Sequence, residues 1–208
     1  MITLHHLTFS RSTRVLWLLE ELGLEYKLVV HERDANFRAP ASLKAVHPLG
    51  RAPVIIDDGL MLAESSAILR HIDNRHGGGR FSPPPGSDAA SVHDEWLQYA
   101  ESSAAMPILL NVIGGMVGGL PPGLTAFVEP ALASTLDYIA NAVTPGPYLM
   151  GDELTLADIQ LSYLLVLADA RGMVDDRTAI RDYLERLGGR PALVKALEVG
   201  GPMAPPPH

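Results

Sequence analysis

The chain contains no cysteine. It forms no disulfide, offers no thiolate to a metal and carries no CxxC redox pair, so any thiol chemistry it takes part in uses sulfur from another molecule. Basic residues are scarce: 16 Lys and Arg against 24 Asp and Glu leave a net charge of -8. That balance argues against a nucleic-acid backbone or an anionic membrane surface as the main partner. Long hydrophobic runs are missing as well. The most apolar stretch, residues 161–168, is far short of the roughly 20 residues that cross a bilayer. The opening MITLHHLTF has no basic segment ahead of an apolar core, so no secretory signal is read there and a cytoplasmic protein is expected. What the chain has in quantity is apolar surface, 47% over 208 residues, enough for one large domain or two small ones.

The first third alternates short strand-like and helix-like patterns. Residues 2–7 read as a strand. From Ser12 the apolar set Val15, Leu18, Leu19 and Leu22 falls on one helical face that ends at Gly23. Residues 26–30 read as a second strand and 41–45 as a short helix. Residues 54–56 and 60–62 flank Asp58-Gly59, a two-residue hairpin turn that makes those strands antiparallel. Ser65 then opens a helix carrying Ile68, Leu69 and Ile72 that stops at the glycines of 77–79. The order β-α-β-α-β-β-α predicts an α/β unit with a mixed four-stranded sheet over residues 1–79.

RFSPPPGSD, residues 80–88, continues neither element because consecutive prolines remove donors and fix φ, and is read as a linker. Residues 89–200 read as an all-helical domain, with helices at 89–112, 124–143, 156–171, 178–187 and 192–199. The tail 201–208 is expected to be disordered. GGMVGGLPPG, residues 114–123, follows a helix and lacks the Lys-Ser/Thr ending of a phosphate loop, so it is read as an interhelical loop. Leu154, Thr155, Asp158 and Ile159 stand where a capping box and hydrophobic staple need them. The helix they start is apolar nearly all round and is expected at its domain's centre, with Asp158 structural.

Three short segments carry candidate chemistry. Ala52-Pro53 precedes the first hairpin strand. Proline allows a cis bond cheaply, and a cis bond there would turn the Ala52 N–H and C=O outward to pair with an extended peptide; an ordinary trans proline guarding a sheet edge is the alternative. Glu64 and Ser65 open a helix directly after a strand. The serine and the first amides suit a carboxylate and the glutamate suits an ammonium, or either side chain simply caps the helix. SRSTR, residues 10–14, starts the first helix. A serine there can donate to an incoming sulfur while the helix end favours thiolate over thiol. A free thiol is only about 3% ionised at pH 7, and lowering its pKa by two units takes about 2.7 kcal/mol, within reach of a charge-assisted hydrogen bond plus a helix end. Ser10 and Ser12 are equally good caps. A Ser-His-Asp hydrolase has no GxSxG elbow to support it. No metal site is indicated: His5 and His6 point to opposite faces of a strand, and His71 and His76 are read as too far round a helix to share a ligand.

The order of SRSTR, HPLGRAPVI and LAES, followed by a Pro-rich linker and a helical half containing TLADI, resembles the cytosolic glutathione S-transferases over nearly the whole chain. The resemblance implies a thioredoxin-like N-terminal domain plus an all-α C-terminal domain. It also implies glutathione as co-substrate, with no metal, and a small hydrophobic electrophile. Ala52 and Pro53 would hold the cysteinyl part of glutathione, Glu64 and Ser65 the γ-glutamyl end, and Arg51 would lie near the tripeptide. Ser10 would activate the thiol, since it stands four residues before Arg14 as in the serine-type classes. Leu4, His5, His6 and Leu7 occupy the place of a catalytic tyrosine. The electrophile pocket would draw on Tyr99, Met106 and Leu110, and a homodimer is expected. A glutathione-dependent peroxidase, isomerase or dehalogenase, or a non-catalytic glutathione- or ligand-binding protein, are the other uses of such a scaffold.

Overall fold

The structure is a computed structural model and describes residues 1–205. The chain separates into two compact units, Met1–Pro83 with Gly188–Pro205, and Pro84–Leu187.

In the first unit, β1 (Ile2–Leu7), α1 (Ser12–Glu21), β2 (Tyr26–His31), α2 (Ala41–Val46), β3 (Val54–Asp57), β4 (Leu60–Ala63) and α3 (Ser65–His76) follow the expected order. The sheet runs β2-β1-β3-β4. β1 is parallel to β2, and the β1–β3 and β3–β4 pairs are antiparallel. Asp58 and Gly59 take φ of 48° and 87°, the positive values a tight hairpin turn needs. α1 stops at Gly23, whose φ of 62° lets its N–H return to Glu20 while Leu24 N–H reaches Leu19. Every residue from Ser12 to Leu19 is buried, so α1 is a core helix rather than an amphipathic cover.

Residue pattern alone places 192–199 with the helical half. Instead α9 (Pro191–Gly200) returns to the first unit and packs on α1. Two ion pairs hold it there: Arg190 donates to both oxygens of Glu21 at 2.6 and 2.9 Å, and Lys195 lies 2.6 Å from Glu20. Burial alone would raise the Glu21 carboxyl, but the bonds from Arg190 and Trp17 outweigh it and hold its pKa below the ordinary range. At Gly200 an added Cβ would come within 2.6 Å of Leu16 Cδ2 and 3.1 Å of the His6 ring, so the helix end touches α1 and β1 only because it lacks a side chain. Long-range ion pairs and a close approach leave no local pattern, which is why the sequence does not reveal this return. Of the expected linker, Phe81 is buried and its N–H, with the Ser82 hydroxyl, bonds the Asp73 carboxylate, so residues 80–83 are part of this unit. Of the expected disordered tail, Met203 is buried and residues 206–208 lie outside the described residues.

The second unit holds α4 (Asp88–Tyr99), a π-helical turn (Ala100–Ala104), α5 (Ala105–Met116), α6 (Pro122–Val143), α7 (Leu156–Asp169) and α8 (Thr178–Gly188). The helix read as continuous over 89–112 thus contains the π turn, and the glycine loop is shorter than 114–123. Gly114 and Gly115 are helical, and Leu120 folds back to within 2.6 Å of where a Gly114 Cβ would stand. α7 is buried on twelve of its positions. No helix among the described residues is long and apolar enough to cross a membrane.

Asp158 anchors the start of α7. It accepts hydrogen bonds from Leu149 N–H, Thr155 N–H, the Thr155 hydroxyl and the Tyr183 hydroxyl, at 2.8–2.9 Å. Burial raises its pKa and these four donors draw it back part of the way. Asp158→Ala strands four donors, three of them buried, and is expected to cost about 3 kcal/mol or more. Tyr183→Phe, which strands nothing on its own side, should cost about 1 kcal/mol. Urea unfolding midpoints at neutral pH measure both.

Candidate active site

The sheet register brings the three sequence segments together. His5 in β1 lies opposite Val54 in β3, and Val54 lies opposite Ala63 in β4. The end of β1, the start of β3 and the end of β4 therefore share one end of the sheet. The residues just beyond them, Ser10, Ala52-Pro53 and Glu64-Ser65, emerge at that same end. Arg14, fully buried on α1, reinforces the convergence: its Nη1 donates to Ser65 Oγ at 3.2 Å, tying the first turn of α1 to that of α3.

The Ala52–Pro53 bond is cis. Neither the N–H nor the C=O of Ala52 bonds another part of the main chain among the described residues. Pro53 is buried, and Arg51 is exposed beside it. Glu64 is exposed, with φ of 70° and ψ of 116°, and its side chain does not cap α3. Ser65 is buried and its hydroxyl faces Arg14. The simple capping role for either residue is thus not the one the structure shows, and the amides of the first turn have no side-chain cap. A non-glycine residue at positive φ costs about 1–3 kcal/mol and persists where its surroundings demand it. Phe9, at φ 53°, is a second such residue, immediately before Ser10.

The hydroxyls of SRSTR form a directed network. His6 Nε2 lies 2.8 Å from the Gly200 carbonyl, which only accepts, so Nε2 carries the proton. In the neutral ring Nδ1 then accepts, and its partner at 2.9 Å is Ser12 Oγ. Ser12 Oγ has three acceptors in reach, His6 Nδ1, the Leu7 carbonyl at 3.1 Å and Ser10 Oγ at 2.7 Å. Because Nδ1 has Ser12 as its one donor among the described residues, the Ser12 proton goes to His6, and Ser12 Oγ accepts from Leu7 N–H at 3.1 Å. Ser10 Oγ is 2.7 Å from Ser12 Oγ and 2.8 Å from the Leu7 carbonyl, and receives Ser12 N–H at 3.2 Å. Burial depresses the His6 pKa, the Gly200 bond opposes this and His31 adds to the depression. A neutral His6 is what the network requires.

These features match known proteins. Residues 1–74 match the family described as glutathione S-transferase, N-terminal domain, and residues 122–186 the corresponding C-terminal domain. The chain is 31% identical to glutathione S-transferase 3 of Schizosaccharomyces pombe, over 89% of this chain and 77% of that protein. The chain belongs to the glutathione S-transferase family. Glutathione S-transferase 1 of Saccharomyces cerevisiae is 32% identical over 90% of each chain. A crystal structure of a glutathione S-transferase from Actinobacillus pleuropneumoniae superposes with a TM-score of 0.88 at 35% identity, covering 96% of this chain and 93% of that one. As a glutathione S-transferase the chain is an enzyme, and glutathione is the substrate its family assigns to it.

Within this glutathione S-transferase the two serines differ. Ser12 is fully buried and its proton is drawn to His6 Nδ1, whereas Ser10 retains 7% exposure and has no imidazole among its acceptors, the Leu7 carbonyl and Ser12 Oγ. The electrophile-side candidates are less coherent. The π turn inserts an extra residue between Tyr99 and Met106, rotating all later positions of the helix by about 100° relative to a continuous α-helix. Tyr99 packs in a cluster with Trp96 and Tyr138, Met106 is exposed and Leu110 is half-buried. The three do not form one stripe.

In the residue pattern Arg14 is only a spacing mark, and His6 and Arg33 carry no assigned role. Arg33 donates to the Thr8 and Phe9 carbonyls at 3.0 and 2.8 Å and so holds the loop that delivers Ser10. For His6 there is a signal: period-two alternation aligns it with Ile2 and Leu4, and a histidine on an apolar strand face needs partners. The histidine pair on α3 needs correcting. His71 and His76 stand about 140° apart on a helical wheel, yet both Nε2 atoms lie 2.8 Å from Asp57 Oδ2. The wheel ignores the reach of two long side chains toward a carboxylate on the adjacent strand.

An unfolded chain protonates His6 near pH 6.5, the folded chain only at lower pH. Between those values unfolding takes up a proton. Stability, fully present above about pH 6.5, therefore falls as pH drops, by up to about 1.4 kcal/mol per pH unit for this one group. His5 and His31, also depressed by burial, act in the same direction. Urea midpoints between pH 7 and 5.5 should show the decline, and His6→Gln should flatten it.

Proposed function

We propose that the enzyme transfers the thiolate of glutathione to a small hydrophobic electrophile, with the Ser10 hydroxyl holding the sulfur as an anion. The observation that carries this reading is the directed network ending at Ser10. Ser12 keeps its proton on His6, so Ser12 Oγ remains an acceptor and Ser12 N–H stays on Ser10 Oγ. That leaves one mobile proton, on Ser10, whose inward partners are a carbonyl and another hydroxyl. A thiolate is a stronger acceptor than either, and the start of α1 favours its charge. Lowering the thiol pKa populates the nucleophile at neutral pH.

Around that sulfur, the Ala52 main chain pairs with the cysteinyl part of glutathione, the Ser65 hydroxyl and first-turn amides of α3 take the γ-glutamyl carboxylate, and Glu64 takes the ammonium. Arg51, exposed beside Ala52, faces the tripeptide. Arg14, bonded to Ser65 from beneath, sets the orientation of that hydroxyl. The family resemblance supports a homodimer.

Ser10→Ala is expected to lower kcat/KM about 10- to 100-fold, the loss of one hydrogen bond to a charge worth about 1.5–3 kcal/mol. It should also move the ultraviolet thiolate absorbance of bound glutathione to higher pH while leaving affinity within a few-fold. Parent protein that binds glutathione but shows neither thiolate absorbance near neutral pH nor turnover across a panel of electrophiles is a binding protein, and the proposal is then wrong. A separate calorimetric measurement tests the γ-glutamyl end. Glu64→Gln should weaken glutathione binding about tenfold with kcat little changed, since it removes ground-state binding only.

A further inference from the structure

We propose that Asp57, His71 and His76 form a binding site for a divalent transition-metal ion of the zinc type. The site is separate from the glutathione-binding end of the sheet: Asp57 is the last residue of β3 and His76 the last of α3, while Pro53 and Ser65 stand at the opposite ends of those elements.

Two imidazoles and one carboxylate are a borderline-soft donor set suited to zinc, nickel, copper or ferrous iron and poor for magnesium or calcium. The three donor atoms lie within 4.8 Å of one another. Each Nε2 is 2.8 Å from Asp57 Oδ2, the separation of a hydrogen bond. Tetrahedral zinc with bonds of about 2.0–2.1 Å sets its ligand atoms roughly 3.3 Å apart. Conversion therefore needs each ring to retreat by about half an ångström and carry its proton on Nδ1. His71 and His76 side chains are 18% and 25% exposed, which gives them room to do so and gives an ion a path in. Asp57 is fully buried and its second oxygen, Oδ1, has no hydrogen-bond partner. A buried carboxylate with one oxygen lacking a donor is costly, and a cation held at Oδ2 offsets that cost by neutralising the group.

Arg75 competes for this position. Its Nε is 3.6 Å from Asp57 Oδ2, while its Nη2 pairs with Asp58 at 3.0 Å. The side chain is about half exposed and can remain on Asp58, itself shared with the N-terminal ammonium at 3.2 Å, while an ion takes Asp57. With three protein ligands, the remaining positions belong to water.

The test is titration of the full chain, stripped with chelator, by zinc chloride in calorimetry and by cobalt(II) in visible absorption. One equivalent per chain is expected, with the ligand-field bands of four-coordinate cobalt and a melting temperature that climbs with zinc concentration. His71→Gln and His76→Gln, checked for native circular dichroism, should each weaken binding at least about tenfold. His47→Gln, at a half-buried histidine elsewhere in the same unit, should not change it. Arg75→Gln removes a like charge and should tighten binding several-fold, a response that adventitious histidine binding would not show. The proposal is overturned if millimolar zinc or cobalt gives no heat and no ligand-field bands, or if binding is the same in the parent, His71→Gln and His76→Gln proteins. In that event the two imidazoles serve only to tether α3 to β3.

Discussion

His5 sits opposite Val29 on one side and Val54 on the other, and Val54 in turn sits opposite Ala63. This register at the centre of the sheet is the constraint on which the site depends. A slip of one residue would turn every side chain of a strand to the other face. It would also carry the ends of β1, β3 and β4 out of line, separating three segments that lie far apart in sequence. The buried Arg14 to Ser65 bond, spanning 51 residues, joins the two helix starts across that line and converts a backbone register into a side-chain arrangement.

Once the segments converge, hydrogen-bond direction decides where their protons lie. A carbonyl can only accept, so Gly200 on α9 dictates which His6 nitrogen holds the proton, and His6 then dictates where the Ser12 proton goes. By this chain a helix from the far end of the sequence orients a hydroxyl next to residue 10. The two serines are alike as isolated residues and different in the fold, because one is sealed in the network and the other ends it. The positive φ of Phe9 and Glu64 marks the same end of the sheet, where strand hands over to helix and the main chain is held in a conformation side chains disfavour.

The two units use buried polar groups differently. In the helical unit Asp158 gathers four donors and pins the start of α7, a purely architectural use. In the first unit the ion pairs of Glu20 and Glu21 with Lys195 and Arg190 bring α9 to α1, and that contact also completes the network behind Ser10. The packing of α9 and the hydrogen bonding around Ser10 therefore share residues there, and His6 belongs to both.

Much of this was legible in the residues. The Asp58-Gly59 hairpin, the 3.6-residue spacing of Val15, Leu18 and Leu19, and the Thr155-Asp158 cap are local signals, each fixed by the φ/ψ or hydrogen-bonding needs of a few neighbouring positions. They were enough for the element order, the mixed sheet and the resemblance that pointed to Ser10, Ala52-Pro53 and Glu64-Ser65. The return of α9, the different burial and hydrogen bonding of Ser10 and Ser12, the π turn that breaks the Tyr99–Met106–Leu110 stripe and the meeting of His71 and His76 at Asp57 were decided only by the tertiary structure. Each depends on atoms brought together across tens of residues or on the reach of a side chain, and periodicity along a chain carries no record of either.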